Sequence, residues 1–419
     1  MSHQRPLRLA FLLPTFPELS NTFVIEQITG MIDRGHELDL FAIDQKSFAR
    51  LPPELARFAL AGRMRHLPVP RSRPKRVLSA ARILAGPRGL HPAQRDALNP
   101  RRHGKQAWNL VALHTAASFV RSGRYDVLHC HFGQLGVPGE RLVHTGAVDA
   151  ALVTAFRGAD LASHVPANPQ RFADLFARGD LHLPVSADFA RRLREAGVPE
   201  DRVVVHHDGI DLRRFPFVER RSVDGVARLL FVGRLAEKKG VAYAIEAVGR
   251  LVASGRRVHL TIIGDGPLGP SLREQTAALR IGDHVEFAGA RPLAFVADAM
   301  QRAHVLVAPS VTAANGDQEG IPTVIKEAMA TGMPLVSTVH SGIPEIVDHG
   351  VTGYLAPERD AAALATHLAT LLDHPERWVE MGRAGRRKVE AEFDTERLND
   401  ALVERYREAM ERRAARAAS

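Results

Sequence analysis

Cysteine is almost absent: Cys130 is the only one in 419 residues. One thiol excludes an internal disulfide framework and points to a reducing, cytoplasmic compartment. Long apolar runs are missing too, and no stretch approaches the ~20 residues that a membrane-spanning helix needs. The first apolar run, after Arg5 and Arg8, breaks at Pro14 and Pro17 with no small-residue cleavage site. It therefore reads as a buried strand and not as a secretory leader. Acid is scarce in one stretch. Between Arg63 and Lys105, twelve lysines and arginines accompany a single carboxylate, Asp96, in a chain of net charge +9. A solvated insertion is one reading of that stretch. A surface for anionic lipid headgroups, or for a phosphorylated acceptor, is another. A nucleic-acid surface is the third, and it lacks support, since no aromatic platform interleaves with the arginines and no recognition motif accompanies them.

What is present fits a globular α/β protein. The length is too great for one core and suits two domains of roughly 200 residues each. Apolar runs at Leu7–Leu13, Glu37–Ile43, Val127–His131, Leu152–Phe156, Leu183–Val185 and Val203–His206 read as strands. Helical spacing separates them, as in 21–34 and Ala187–Glu195. A polar break at 212–224 follows, and the alternation then restarts. Strands are expected at Leu229–Val232, Val258–Ile263, Val285–Ala288, Val305–Ala308 and Leu335–Ser337, with helices at Val241–Ser254 and Ser271–Arg280. Such alternation implies mostly parallel sheets covered on both faces. The expected domains are 1–211 and 212–389, followed by a charged helix over 390–419 that crosses back to the first domain. Ligands in open α/β sheets bind beyond the carboxyl ends of the strands. The loops just after strands therefore matter most.

Glu319 and Glu327 are separated by seven residues, one in a Gly-Pro loop and one in the helix that follows. The first N–H groups of that helix lack internal partners and favour an anion. A glutamate on each side of an anion suits a ligand with hydroxyls at both ends, because carboxylates accept hydrogen bonds from hydroxyls. A nucleotide sugar is such a ligand. After the strand Leu229–Val232 come Gly233, Arg234, Lys238 and Lys239 at a helix start, where cations are unfavourable unless they serve an anion. Arg234 offers a two-toothed fork for a diphosphate and Lys239 a point charge.

The run Gly264-Asp265-Gly266-Pro267-Leu268-Gly269 has the spacing of a dinucleotide fingerprint. No acid closes the next strand to take a ribose, so we read it as a tight turn lining a nucleotide pocket. His129 and His131 share one face of their strand. No third metal ligand is identifiable from spacing, and His131, at the carboxyl end, is the candidate to face the cleft. Ser20, Asn21 and Thr22 begin the first helix with capping and donor groups. Arg157 and Asp160 follow another strand and are expected to line the same cleft.

Together these motifs resemble the retaining nucleotide-sugar glycosyltransferases of family 4, with the two-domain GT-B fold. The resemblance covers nearly the whole chain and is strongest from about Val203 to Tyr354. It rests on His207-Asp208-Gly209-Ile210-Asp211, Gly233-Arg234-Leu235 with Lys239-Gly240, Gly264-Asp265-Gly266-Pro267, Val307-Ala308-Pro309-Ser310, Glu319 through Glu327, and Gly342-Ile343-Pro344-Glu345. Phe16-Pro17-Glu18-Leu19-Ser20 with Thr22-Phe23 is similar to the exopolysaccharide and colanic-acid branch. The resemblance implies catalytic roles for His131, Arg234, Lys239 and Glu319. It implies donor contacts from Gly233, Gly264, Gly266, Arg291, Gly320, Ile321, Pro322, Thr323 and Glu327, and acceptor contacts from Ser20, Asn21, Thr22, Arg157 and Asp160. It implies transfer with retention and no metal or other cofactor, the donor being a co-substrate. Two departures stand out. Arg157 replaces a histidine common in the family, which suits a negatively charged acceptor, and the first loop lacks the common Gly-Gly. A nucleotide-sugar epimerase of the same fold is the alternative reading; it needs extra acid–base groups and no acceptor site.

Overall fold

The computed structural model describes residues 5–18, 22–65, 69–70, 72–86, 89–122, 124–158, 160–220 and 225–418. Ser20 and Asn21, expected to contact the acceptor, lie outside the described residues, as do Arg71 and Arg88 of the basic stretch.

The apolar runs fold into two parallel sheets. The first holds β1 (Arg8–Phe16), β2 (Glu37–Gln45), β3 (Val127–His131), β4 (Ala151–Phe156) and β5 (Leu181–Pro184) in the order β2-β1-β3-β4-β5. The second holds β6 (Ala227–Val232), β7 (Val258–Ile263), β8 (Val285–Gly289), β9 (Val305–Ala308), β10 (Leu335–Thr338) and β11 (Tyr354–Ala356) in the order β11-β10-β9-β6-β7-β8. Every residue of β3, β4, β9 and β10 is buried, as expected of central strands in a parallel sheet covered on both faces. Strand order reverses between β1 and β3 in one sheet and between β6 and β9 in the other. Those reversals are where a crevice opens for a ligand.

One expected strand is not a strand. Val204 and His206 donate to the carbonyls of His182 and Pro184, at 3.0 and 2.9 Å, so the chain does follow β5. In a parallel ladder the returning rung would come from the N–H of residue 184, and proline has none. The pairing stops at a single bridge, His182 to Val203.

The chain crosses between the two units twice, side by side. Ile210 donates to the Phe393 carbonyl at 2.9 Å and Thr395 donates back to the Ile210 carbonyl at 3.2 Å. A Cβ on Gly209 would lie 2.7 Å from the Thr395 backbone, so only glycine permits this approach. The polar break after Leu212 is bound to the second unit as far as Arg220. Phe215 is buried there, and Arg220 donates to the carbonyls of Ala303 and Thr331 at 2.9 and 2.6 Å. The expected final helix is present and is preceded by another. Trp378–Glu392 stays with the second unit, and Thr395–Ala418 crosses back to the first. There Leu402, Val403, Tyr406 and Ala409 complete a core with Leu9, Phe11, Val127 and Val153. Among the described residues, no helix is long and apolar enough to cross a membrane.

Candidate functional site at the second switch point

The loop after β6 is shaped by backbone packing. Gly264 has φ +143°, and a Cβ there would sit 1.9 Å from the Gly233 carbonyl oxygen. One on Gly266 would sit 2.4 Å from the Leu235 carbonyl oxygen. The glycines of the fingerprint-like turn thus let two loops lie on each other, and Leu235 donates to the Asp265 carbonyl at 3.0 Å. A short helical turn, Glu237–Lys239, follows and aims both lysines across to the loop before the helix Thr323–Ala330.

There Glu319 meets them. Its carboxylate accepts from Lys239 Nζ at 2.8 Å and pairs with Lys238 Nζ at 3.3 Å. Burial alone would raise this carboxyl, but Lys239 and then Lys238 outweigh burial and hold it below its ordinary range. Lys238 also pairs with Asp317 at 3.1 Å. The Glu319 N–H donates to His340 Nε2 at 3.1 Å, and His340 Nδ1 faces a Glu358 carboxylate oxygen at 2.5 Å. Because Nε2 accepts, the ring proton belongs on Nδ1, shared with Glu358. Glu358 also accepts from the Thr312 N–H at 2.8 Å.

The helix itself begins at Pro322 with no capping side chain. Its first N–H groups therefore remain available to an anion. One turn in, the Glu327 carboxylate has no hydrogen-bond partner among the described residues, and burial pushes it up to about 7 against the pull of Lys326 and Lys239. Lys326 points the other way, fully buried, and donates to the Asp208 carbonyl at 2.7 Å. Arg234 is exposed and has no carboxylate partner among the described residues. Gly233, Gly320, Ile321 and Pro322 lie in the two loops that bring these charges together, and Thr323 opens the helix. Arg291 lies after β8, two strands from β6 and about 10 Å along the hydrogen-bonding direction. Its guanidinium is 5.1 Å from the centre of the Phe295 ring.

The first unit departs from expectation. His131 does not face the cleft. It is 0% exposed, stacked on His129 at 4.3 Å and 4.9 Å from Phe11, with neither ring nitrogen hydrogen-bonded. Strand alternation puts both histidines on the face that the C-terminal helix covers, where Tyr406 Oη meets His129 Nδ1 at 2.7 Å. The residue that turns outward is Phe132, at φ +79°.

Arg157 is committed to Asp208 only in part: it also lines the cavity beside the charged loops, and its Nη1 is buried without a hydrogen-bond partner among the described residues. Its guanidinium holds Asp208 through both nitrogens that face it, at 2.8–3.0 Å, and lies 4.7 Å from the Phe23 ring. Burial presses the Asp208 carboxyl upward, but Arg157 outweighs it and keeps it low. Asp160 is also occupied, accepting the N–H groups of Gly133 and Arg157 at 2.8 and 3.0 Å. Thr22 starts the first helix. Among the described residues, no cluster of three or more His, Cys, Asp or Glu is placed to hold a metal.

A cavity of about 540 Å³ opens next to the charged loops. Apolar side chains such as Leu12, Ala112, Phe132, Leu135 and Leu142 form its walls. Arg141, His164, Arg171, Lys238 and Asp317 stand around it, as do parts of Arg157 and Asp160. The basic stretch contributes Ala93, Ala97 and His103. That stretch is ordered as short helices, among them Arg73–Leu84, Pro92–Asp96 and Lys105–Trp108.

Three contacts across the cleft were not readable beforehand. Glu345 of the second unit accepts the Ala187 and Asp188 N–H groups of the first at 2.7 and 3.1 Å. Arg192 donates to the Gln318 side chain at 2.7 Å, and Ser341 Oγ to Asp188 at 3.4 Å. No local pattern marks such pairs, since their partners lie more than 120 residues apart.

Two facing parallel sheets, with an uncapped helix and two carboxylates at the second switch point, define a GT-B glycosyltransferase. Residues 227–374 match the family model described as glycosyl transferases group 1, and residues 20–214 match glycosyltransferase family 4. The chain belongs to the family 4 glycosyltransferases. It is 36% identical to the putative colanic acid biosynthesis glycosyltransferase WcaL of Salmonella typhimurium, over 95% of this chain and 98% of that one. It is 34% identical to the amylovoran biosynthesis glycosyltransferase AmsK of Erwinia amylovora, over 93% and 96%. Among solved structures, Anabaena Alr3699/HepE in complex with UDP shares the fold with a TM-score of 0.69 at 17% identity, covering 95% of this chain and 99% of that one.

Proposed function

We propose that this protein moves a hexosyl unit, with retained anomeric configuration, from a nucleoside-diphosphate sugar to a hydroxyl of a glycan, a lipid-linked glycan or a small-molecule acceptor. UDP is favoured over GDP as the donor nucleotide. The observation that carries this reading is the convergence of Lys239, Glu319 and Glu327 at the uncapped start of the helix Thr323–Ala330. Under it, the helix N–H groups, Arg234 and Lys239 hold the diphosphate. Glu327 accepts from the ribose hydroxyls and Glu319 from the transferring sugar. The solved Anabaena structures, which share the fold, contain UDP and UDP-glucose.

Retention by a covalent sugar–enzyme intermediate needs a free carboxylate as nucleophile. Glu319 is tied to two lysines, which favours a same-face displacement instead. The bond from anomeric carbon to phosphate oxygen breaks as the acceptor oxygen bonds that carbon on the same face. The departing phosphate takes the acceptor proton, and the cations stabilise its charge. This scheme calls on no metal and no other cofactor. The acceptor enters by the apolar-walled cavity, whose cationic surround suits an anionic or lipid-linked molecule.

The test is a thermal-shift series with UDP and GDP, followed by turnover with the matching sugar nucleotides. A ligand at 100 times its dissociation constant adds about 2.7 kcal/mol of stability. Stabilisation by UDP, lost in Glu327→Ala, is expected. No shift with either nucleotide, and no turnover of any sugar nucleotide, would defeat the proposal.

A further inference from the structure

The helix Arg73–Leu84 turns only part of its apolar surface to the core, through Ala80 and the half-buried Ile83. Ala80 is its only buried residue, while Val77 is 59% and Leu78 56% exposed. A surface helix ordinarily turns its apolar stripe to the core. Arg82 stands one turn after Leu78, so a cation and an apolar side chain share the outward side. Trp108 lies at the end of a neighbouring short helix. Arg76 donates to the Asn109 carbonyl at 3.1 Å, which brings the residue after Trp108 onto the helix Arg73–Leu84, and Trp108 is 79% exposed. Arg73, Lys75, Arg82, Arg101 and Lys105 are exposed and have no carboxylate partner among the described residues. The one acid of the stretch, Asp96, is already taken by Arg102 and His103, at 2.6 and 2.8 Å.

We propose that this face docks on an anionic bilayer. Trp108, Val77 and Leu78 enter the boundary between headgroups and acyl chains, while the cations meet lipid phosphates. The occupant follows from the mixture. Unpaired cations call for a dense negative partner, and an indole with two aliphatic side chains among them calls for an apolar layer just beneath that charge. Only the lipid interface offers both at once. The helix Lys105–Trp108 also walls the cavity beside the charged loops, through Gln106, so docking would set that cavity close to the membrane surface.

The chain has two tryptophans, and Trp378 is 0% exposed, so a lipid-induced change in emission reports Trp108. The purified full chain is titrated with vesicles of phosphatidylcholine alone or mixed with phosphatidylglycerol. A blue shift and co-sedimentation are expected with the anionic vesicles only. Both should reverse near 1 M salt, where the screening length falls to about 3 Å. Val77→Asp with Leu78→Asp should abolish sedimentation while leaving the melting temperature and UDP binding unchanged. Arg82→Ser with Lys105→Ser should weaken partition about 30-fold, or about fivefold for each cation removed. An unshifted emission on anionic vesicles, equal binding to neutral ones, or undiminished sedimentation of the Asp variant each overturns the proposal. So does salt-reversible binding to nucleic acid with none to lipid. None of these readings depends on turnover, so failure here leaves the transferase assignment standing.

Discussion

Replacing Glu345 with alanine should disable transfer without touching the nucleotide. This carboxylate belongs to the second unit, yet it receives the first two N–H groups of the helix Ala187–Glu195 in the first, at 2.7 and 3.1 Å. Ser186 takes the third, from Phe189, at 3.2 Å. The start of that helix is therefore capped from across the cleft. An N-cap is worth about 0.5–2 kcal/mol, and a negative charge at a helix start about 0.3–1 kcal/mol at an exposed position. Ala187 is exposed, so a combined loss of about 1–2 kcal/mol is the reasonable figure. At 1.4 kcal/mol per factor of ten, the equilibrium between the closed form described here and an opened one shifts about 5- to 30-fold. Glu345→Ala should lower kcat by up to that factor, because a shut cleft excludes water and completes the site. The dissociation constant for UDP should stay within a factor of two, since the residues proposed to hold it all lie in the second unit. Glu345→Gln, which keeps one acceptor oxygen, should fall between. Stopped turnover assays, calorimetric UDP titration and the radius of gyration from solution scattering test this together. An unchanged kcat with an unchanged radius in Glu345→Ala would refute the reasoning. A large loss of UDP affinity would mean that Glu345 acts on the nucleotide loop and not on closure.

Lys239→Ala should lower kcat by about 10²-fold or more, the usual cost of removing a donor to a developing negative charge, with no gain from added divalent metal; turnover within threefold of wild type would exclude Lys239 from the diphosphate site. Glu327 gives a pH signature. Its folded value of about 7 lies above the ordinary 4.5, so its stabilising contribution is full below pH 4.5 and is lost as pH rises through 7. Glu327→Gln should therefore be more stable than wild type at pH 8 by about 2 kcal/mol, after allowance for its partial exposure, and indistinguishable near pH 4.5. Calorimetric melting at both values decides it, and a pH-independent difference would show that Glu327 is not perturbed.

Much of the architecture was legible because parallel sheets are written locally. β3, β7, β9 and the helix Ala187–Glu195 begin and end where the apolar spacing says. The misreadings share one physical origin, a partner distant in the chain. Val203–His206 has the composition of a strand, but the proline that denies it a rung sits on β5. β11 is three residues long, too short for a periodic signal, and exists because β10 lies beside it. His131 sits at the right end of the right strand and on the covered face. Which face is covered was settled by a helix that starts at Thr395.

The charged loop itself is held from four sides. Lys238 fixes Asp317 and Glu319, and Lys239 grips Glu319 as well. His340, set by Glu358, fixes the Glu319 N–H. Arg192 reaches from the first unit to Gln318, the residue just before Glu319. Three of these anchors travel with the second unit; the fourth does not. Arg192 is in turn steadied by Asp188 at 2.8 Å, and the Asp188 N–H is one of the two that Glu345 accepts. Opening the cleft would break the Arg192 and Glu345 contacts together and leave Gln318, one residue from the catalytic candidate, held by Thr312 at 2.9 Å. The loop would then keep its lysines and lose the contact that registers Glu319 against the acceptor side. Binding of the donor and placement of its sugar therefore rest on different contacts. Under the proposed function, a nucleotide would find its contacts in the second unit alone, whereas the transferring sugar would be positioned only while the two units are clasped.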